Sequence, residues 1–132
     1  APLVTTVITK EEEVYDLISE NSQLRYAVRD FNQGLIYNQD CPYLFYRTIE
    51  TLAKLVCGKD DFQSLTRKDW KVFHKRIGTT YDDLKELHNL AKRRHHEPQA
   101  HFTKRQHLEM MRIARLFLMR TIEHLLGEDK LS

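Results

Sequence analysis

A chain of 132 residues, 41% of them hydrophobic and only four glycine and three proline, can build one core but lacks the turn chemistry of a β meander. A charged fraction of 30% fits a globular domain and is too low, beside that apolar content, for a disordered one. The net charge of +2 hides a polarity: residues 1–40 carry seven acids against three bases, and the rest carries 18 bases against 12 acids. Such polarity can steer an anionic partner to one end, or let the two ends attract each other within a fold or a dimer.

Residues 3–8, Leu-Val-Thr-Thr-Val-Ile, are short and β-branched, and they read as part of an extended arm over 1–8. Thr9 then reads as an N-cap with Glu12 completing a capping box. Val14, Leu17, Leu24, Val28, Phe31 and Leu35 recur at steps of three and four, predicting a helix from about 10 to 38. Asn21 falls in that stripe as either a register-setting polar contact or a break. Gly34 lies on its flank, where another helix could approach closely.

Asn38-Gln39-Asp40-Cys41-Pro42 predicts a turn, and Tyr46, Ile49, Leu52 and Val56 make a second helical stripe closed by Gly58. Thr66 predicts the cap of a short helix carrying Trp70, Phe73 and Ile77 and ended by Gly78. Thr80 predicts another, with Asp82 and Asp83 in its first turn and Lys92-Arg93-Arg94 at its basic end. After a break at 97–100, Thr103 caps a last helix reaching to Leu126, apolar nearly all round and therefore central or in an interface. The expected fold is all-α: a four- or five-helix up-and-down-type bundle over 9–127 with a C-terminal tail over 128–132.

Cys41 and Cys57, in a chain able to build its own core, indicate a reducing compartment rather than a disulfide framework. No apolar run approaches the ~18 residues of a membrane span, and the first residues lack the basic segment of a signal peptide. The expected location is the cytoplasm, with no membrane partner.

The segment 92–107 holds five Lys/Arg, four histidines and one acid across a loop between helices. Read as a metal site, His95, His96, His101 and His107 supply imidazoles. Yet their spacing matches no zinc signature, and five nearby cations repel a metal ion. Neither a metal nor another cofactor is expected. Read as a phosphate or RNA site, Lys92, Arg93 and Arg94 supply cations, and a histidine among His95, His96 and His101 supplies a proton carrier. A histidine base and an arginine clamp suffice for metal-independent cleavage through the 2′-hydroxyl. The plain structural alternative is that the cations complement a helix C-terminus and the histidines are solvated. Arg47, in Tyr46-Arg47-Thr48-Ile49-Glu50, either pairs with Glu50 one turn on or adds its fork to the same site.

The order of these features resembles the HEPN superfamily over roughly residues 12–126. It comprises a long first helix, a second bearing Tyr46-Arg47-Thr48-Ile49-Glu50, a penultimate helix running into Arg93-Arg94-His95-His96, a short loop and a threonine-capped apolar last helix. The resemblance implies a small helical bundle, often a dimer. Many members are metal-independent ribonucleases of toxin–antitoxin, antiviral or RNA-processing systems; others are nucleotide-binding or interaction modules. Active members carry an arginine four to six residues before a histidine, usually as Arg-Asn-x-x-x-His. Here Arg94 stands seven positions before His101 across the loop, with six residues between them and without the asparagine. The expectation is an RNA- or nucleotide-handling domain that dimerises through its last helix, with Arg94, His95, His96 and His101 as candidate catalytic residues. Arg47, Lys92, Arg93 and Arg94 are the candidate phosphate ligands. The alternative is a non-catalytic module that dimerises or contacts a protein partner.

Overall fold

A computed structural model describes residues 2–96 and 101–131, with side chains placed over 10–94 and 101–127. Among the described residues there are six helices and no strand: α1 (Pro2–Glu20), α2 (Ser22–Gly34), α3 (Cys41–Val56), α4 (Arg67–Ile77), α5 (Tyr81–His96) and α6 (Lys104–Leu131). The all-α bundle expected from the sequence is the fold. Its first predicted helix is divided in two because Asn21 takes an extended conformation and its side chain caps α2, accepting from the Leu24 N–H at 3.0 Å. The polar residue in the stripe is a break.

The segment 1–8, expected as an extended arm, is helical from Pro2 onward. Proline is at home in a helix's first turn, and β-branched residues cost only a few tenths of a kcal/mol each there, so nothing halts the helix before Glu20. Thr9 is accordingly inside α1 and not at its cap. The tail expected over 128–132 is likewise helical as far as Leu131, since Gly127 does not take the left-handed conformation that ends a helix.

Elsewhere the local signals act as written. Thr66 and Asp69 form a reciprocal capping box at α4. Thr80 with Asp83 and Thr103 with Gln106 do the same for α5 and α6. Gly58 and Gly78 take positive φ just beyond α3 and α4.

α3 is the central element. Phe45, Ile49, Leu52 and Ala53 are fully buried, meeting Leu24 and Ala27 of α2 and Met110, Ala114 and Phe117 of α6. α4 adds Phe73 and Ile77, and α5 adds Leu84 and Leu87. Both helices pack on α3 but make few contacts with each other. No helix among the described residues is long and apolar enough to cross a membrane.

The closest approach lies at the end of α2, where a Cβ built on Gly34 would stand 2.7 Å from the Phe45 ring. Gly34→Ala should therefore destabilise the protein by about 1–2 kcal/mol, overpacking outweighing the gain in helix propensity. Gly127→Ala meets nothing within 4 Å and should stabilise by about 0.5–1 kcal/mol. Denaturant midpoints of the two variants moving in the same direction would refute this account of Gly34.

Candidate functional site

The basic end of α5 faces the turn between α2 and α3. Arg94 donates from Nε to the Gln39 carbonyl at 3.0 Å and from Nη2 to Gln39 Oε1 at 3.3 Å, and lies 3.9 Å from an Asp40 carboxylate oxygen. It is a strap between two elements as well as a cation. Lys92 and Arg93 are exposed on the same helical turn. His101, also exposed, joins Arg93, Arg94, Pro42, Leu90 and Phe102 around one narrow crevice. A wider recess of about 220 Å³ continues from His101 and Phe102 to Tyr37, Asn38 and Gln39. Arg93, Arg94 and His101 are thus brought together from α5 and the residues before α6. The side chains of His95 and His96 lie outside the described residues.

The other predicted participants stand elsewhere. His107 is half-buried in α6, its Nε2 hydrogen-bonded to the Gly34 carbonyl at 2.8 Å and its ring against Tyr37 and Phe45. It belongs to the packing between helices. Among the described residues no three His, Cys, Asp or Glu side chains converge as a metal site. Cys41 and Cys57 are free thiols, both held above the usual thiol range chiefly by burial.

Arg47 turns neither to Glu50 nor to the loop. Its fork meets Asp30 of α2, with Nε and Nη2 at 2.8 and 2.6 Å from the two carboxylate oxygens, and its guanidinium lies over the Tyr43 ring. The side chain of Asp30 is only 3% exposed, so the bidentate contact is what lets a carboxylate sit between α2 and α3. Asp30 also holds the guanidinium protonated well beyond its ordinary range. Sequence spacing pointed to Glu50 because that partner is local, whereas the actual one is 17 residues upstream. Glu50 is instead half-buried, its carboxyl pushed upward by desolvation.

A second concavity involves residues that the sequence presented as packing stripes. Between α4 and α5, above α3, lies a cleft of about 440 Å³ lined by rings from all three helices. Tyr46 forms its floor, stacked on His88 at 5.2 Å and 12° and on Trp70 at 6.3 Å and 29°. Tyr81 stands edge-on to His88 at 6.4 Å. His74 shares a 2.8 Å hydrogen bond with Thr79 Oγ1 through Nδ1. Burial depresses both imidazoles, with Lys92 adding to the effect at His88, so they are mainly neutral at neutral pH. Burial, then Glu50, pushes the Tyr46 phenol up to about 12. Arg67 and Lys71 complete the rim from α4. One signal was available in the sequence: Arg67, Trp70, Lys71 and His74 recur at three- and four-residue steps, placing cations and rings on one helical face.

Because Asp30 is buried, Arg47→Ala should cost about 2 kcal/mol, less than a fully buried pair because the arginine side chain is 39% exposed. Replacing both partners, as Asp30→Leu with Arg47→Met, should cost less than Arg47→Ala alone. Urea unfolding of the three proteins decides the point; a double variant less stable than the single one would show that the pair is not what Arg47 contributes.

No curated protein and no solved structure matches the chain. A family model does, over residues 12–126, spanning every helix from the body of α1 to near the end of α6 and both concavities: the chain belongs to the family described as the C-terminal domain of the domain of unknown function DUF8168.

Proposed function

We propose that this domain binds RNA or a nucleotide through the basic edge formed by the end of α5 and the start of α6. The observation that supports the reading is the meeting of Arg93, Arg94 and His101 at one crevice, with Lys92 exposed beside them. Arginine offers a planar fork to phosphate and histidine a proton carrier near neutrality. The HEPN-like order of helices supports the same class of partner, as an analogy of fold. The contact is electrostatic, so affinity for single-stranded RNA should fall steeply with salt. Lys92→Ala with Arg93→Ala, which spares the Arg94 strap, should lower the slope of log affinity against log salt by about 1.4, two phosphate contacts' worth. An unchanged slope, or no RNA binding at low salt, would sink the proposal and favour the protein-interaction module.

Cleavage is the stronger form of this reading, a metal-independent endoribonuclease of a defence or toxin–antitoxin type. His101 would take the 2′-hydroxyl proton, the 2′-oxygen would attack phosphorus, and the 5′-oxygen would leave with a proton from water. Cyclic 2′,3′-phosphate ends that persist under chelation and vanish in His101→Ala are its signature.

We further propose that α6 carries a homodimer interface. Leu108, Leu116 and Met119 remain exposed along one face with Arg112 and Glu123. An antiparallel two-fold pairing sets Leu116 against the partner's Met119 and Arg112 against the partner's Glu123. Sedimentation should show a dimer at micromolar concentration and a monomer for Leu116→Glu; a wild-type monomer would refute the interface.

A further inference from the structure

The aromatic cleft between α4 and α5 is separate from the basic edge and has features that a packing defect lacks. α4 and α5 both rest on α3 yet stand apart from each other, so the space between them is part of the architecture. Its volume of about 440 Å³ lies within the usual range of small-ligand sites. Leu84 is the only aliphatic residue among the described residues lining it; the remainder are rings and two cations. An acyl chain or an aliphatic side chain would find few branched partners there.

Those rings form a platform. The Tyr46 ring lies 12° from the plane of His88 and 29° from that of Trp70, and Tyr81, which is 53% exposed, stands edge-on to His88 beside them. The separations of 5.2 and 6.3 Å are too short to admit a further ring between Tyr46 and its neighbours, so a planar ligand would lie on the stack and not within it. A neutral imidazole wall suits a nucleobase, whose π-face stacks on any aromatic surface.

Arg67 and Lys71 are one turn apart on α4 and both exposed, and Lys92 lies one turn beyond His88 on α5. No carboxylate is among the described residues lining the cleft; Glu50 and Asp83 act on Tyr46 and His74 from outside that lining. A ligand suited to this arrangement is flat at one end and anionic at the other. We propose that the cleft binds a nucleotide, with its base on the Tyr46–Trp70–His88 platform and its phosphate at Arg67 and Lys71. This site does not depend on the α5–α6 edge, and the two proposals fail separately.

Trp70 is the chain's only tryptophan and lies in the cleft, so its emission reports occupancy directly. Titration of the full chain with AMP and CMP should quench it saturably. Adenosine should bind about tenfold more weakly, and ribose 5-phosphate should fail to displace AMP. Arg67→Ala with Lys71→Ala, both exposed positions, should bring AMP down to the affinity of adenosine. Tyr81→Ala should weaken AMP and adenosine alike, by about fivefold or more. Arg93→Ala, which removes a cation of the edge and lies outside the cleft, should still bind AMP within about threefold of wild type. The proposal is overturned if neither nucleotide quenches saturably at millimolar concentration. It is also overturned if ribose 5-phosphate competes as well as AMP, or if the Arg67/Lys71 variant binds AMP unchanged.

Discussion

The absent side chain at Gly34 sets the geometry on which the bundle depends. The ring of Phe45 fills the place where a Cβ would stand, bringing the end of α2 directly onto α3. The Gly34 carbonyl, at a helix end where acceptors lack intrahelical donors, is taken by His107 of α6. His107 in turn packs on Phe45 and Tyr37, and the Tyr37 hydroxyl donates to the Phe102 carbonyl at 2.6 Å. One close approach therefore joins three helices and also fixes the residues leading into α6, which carry His101.

The two concavities follow from how the other helices are tied to α3. α4 is held at the C-terminal end of α3: Arg76 donates to the Val56 carbonyl at 2.8 Å, the Cys57 thiol to the Asp69 carbonyl at 3.3 Å, and Lys59 pairs with Asp69. α5 is tied to the opposite end by Arg94, which reaches Gln39 just before α3 begins. Between these two ties the cleft opens over α3. Tyr46 and Glu50 lie in the middle of α3, so Tyr46 becomes a floor and the Glu50 carboxyl is half-desolvated.

What the sequence made legible was local. Thr66, Thr80 and Thr103 cap helices because each has its partner three residues away, and Gly58 and Gly78 end helices because the backbone itself demands a positive φ. Gly34 was readable as a close approach because only the lack of a side chain distinguishes it. The misreadings came where the deciding partner is remote or a breaker is missing. Arg47 finds Asp30 in another helix and not Glu50 on its own. Residues 1–8 have β propensity but no signal that stops a helix, so the helix runs through them. The aromatic cleft was hidden for a related reason: Trp70 and Tyr81 satisfy the periodicity of packing stripes, and only the space left between α4 and α5 makes them line a cleft. Of the basic loop, the crevice shared by Arg93, Arg94 and His101 was legible as composition, but the strap from Arg94 to Gln39 was not.

That strap also sorts the charges of the loop. A cation whose hydrogen bonds hold two elements together must give them up to clamp a phosphate, at roughly 1 kcal/mol for each bond lost. Lys92 and Arg93 are exposed on the same turn of α5. Helix stability accounts for all three residues, since cations suit the negative end of α5. The same dipole argues against Lys104 and Arg105, which are exposed in the first turn of α6, at its positive end. Stabilisation of the helices thus explains only one side of the loop. Positive charge stands on both sides of the loop, once with the dipole and once against it, and the charge that opposes the dipole is what supports the proposal of an anionic, phosphate-bearing partner at that edge.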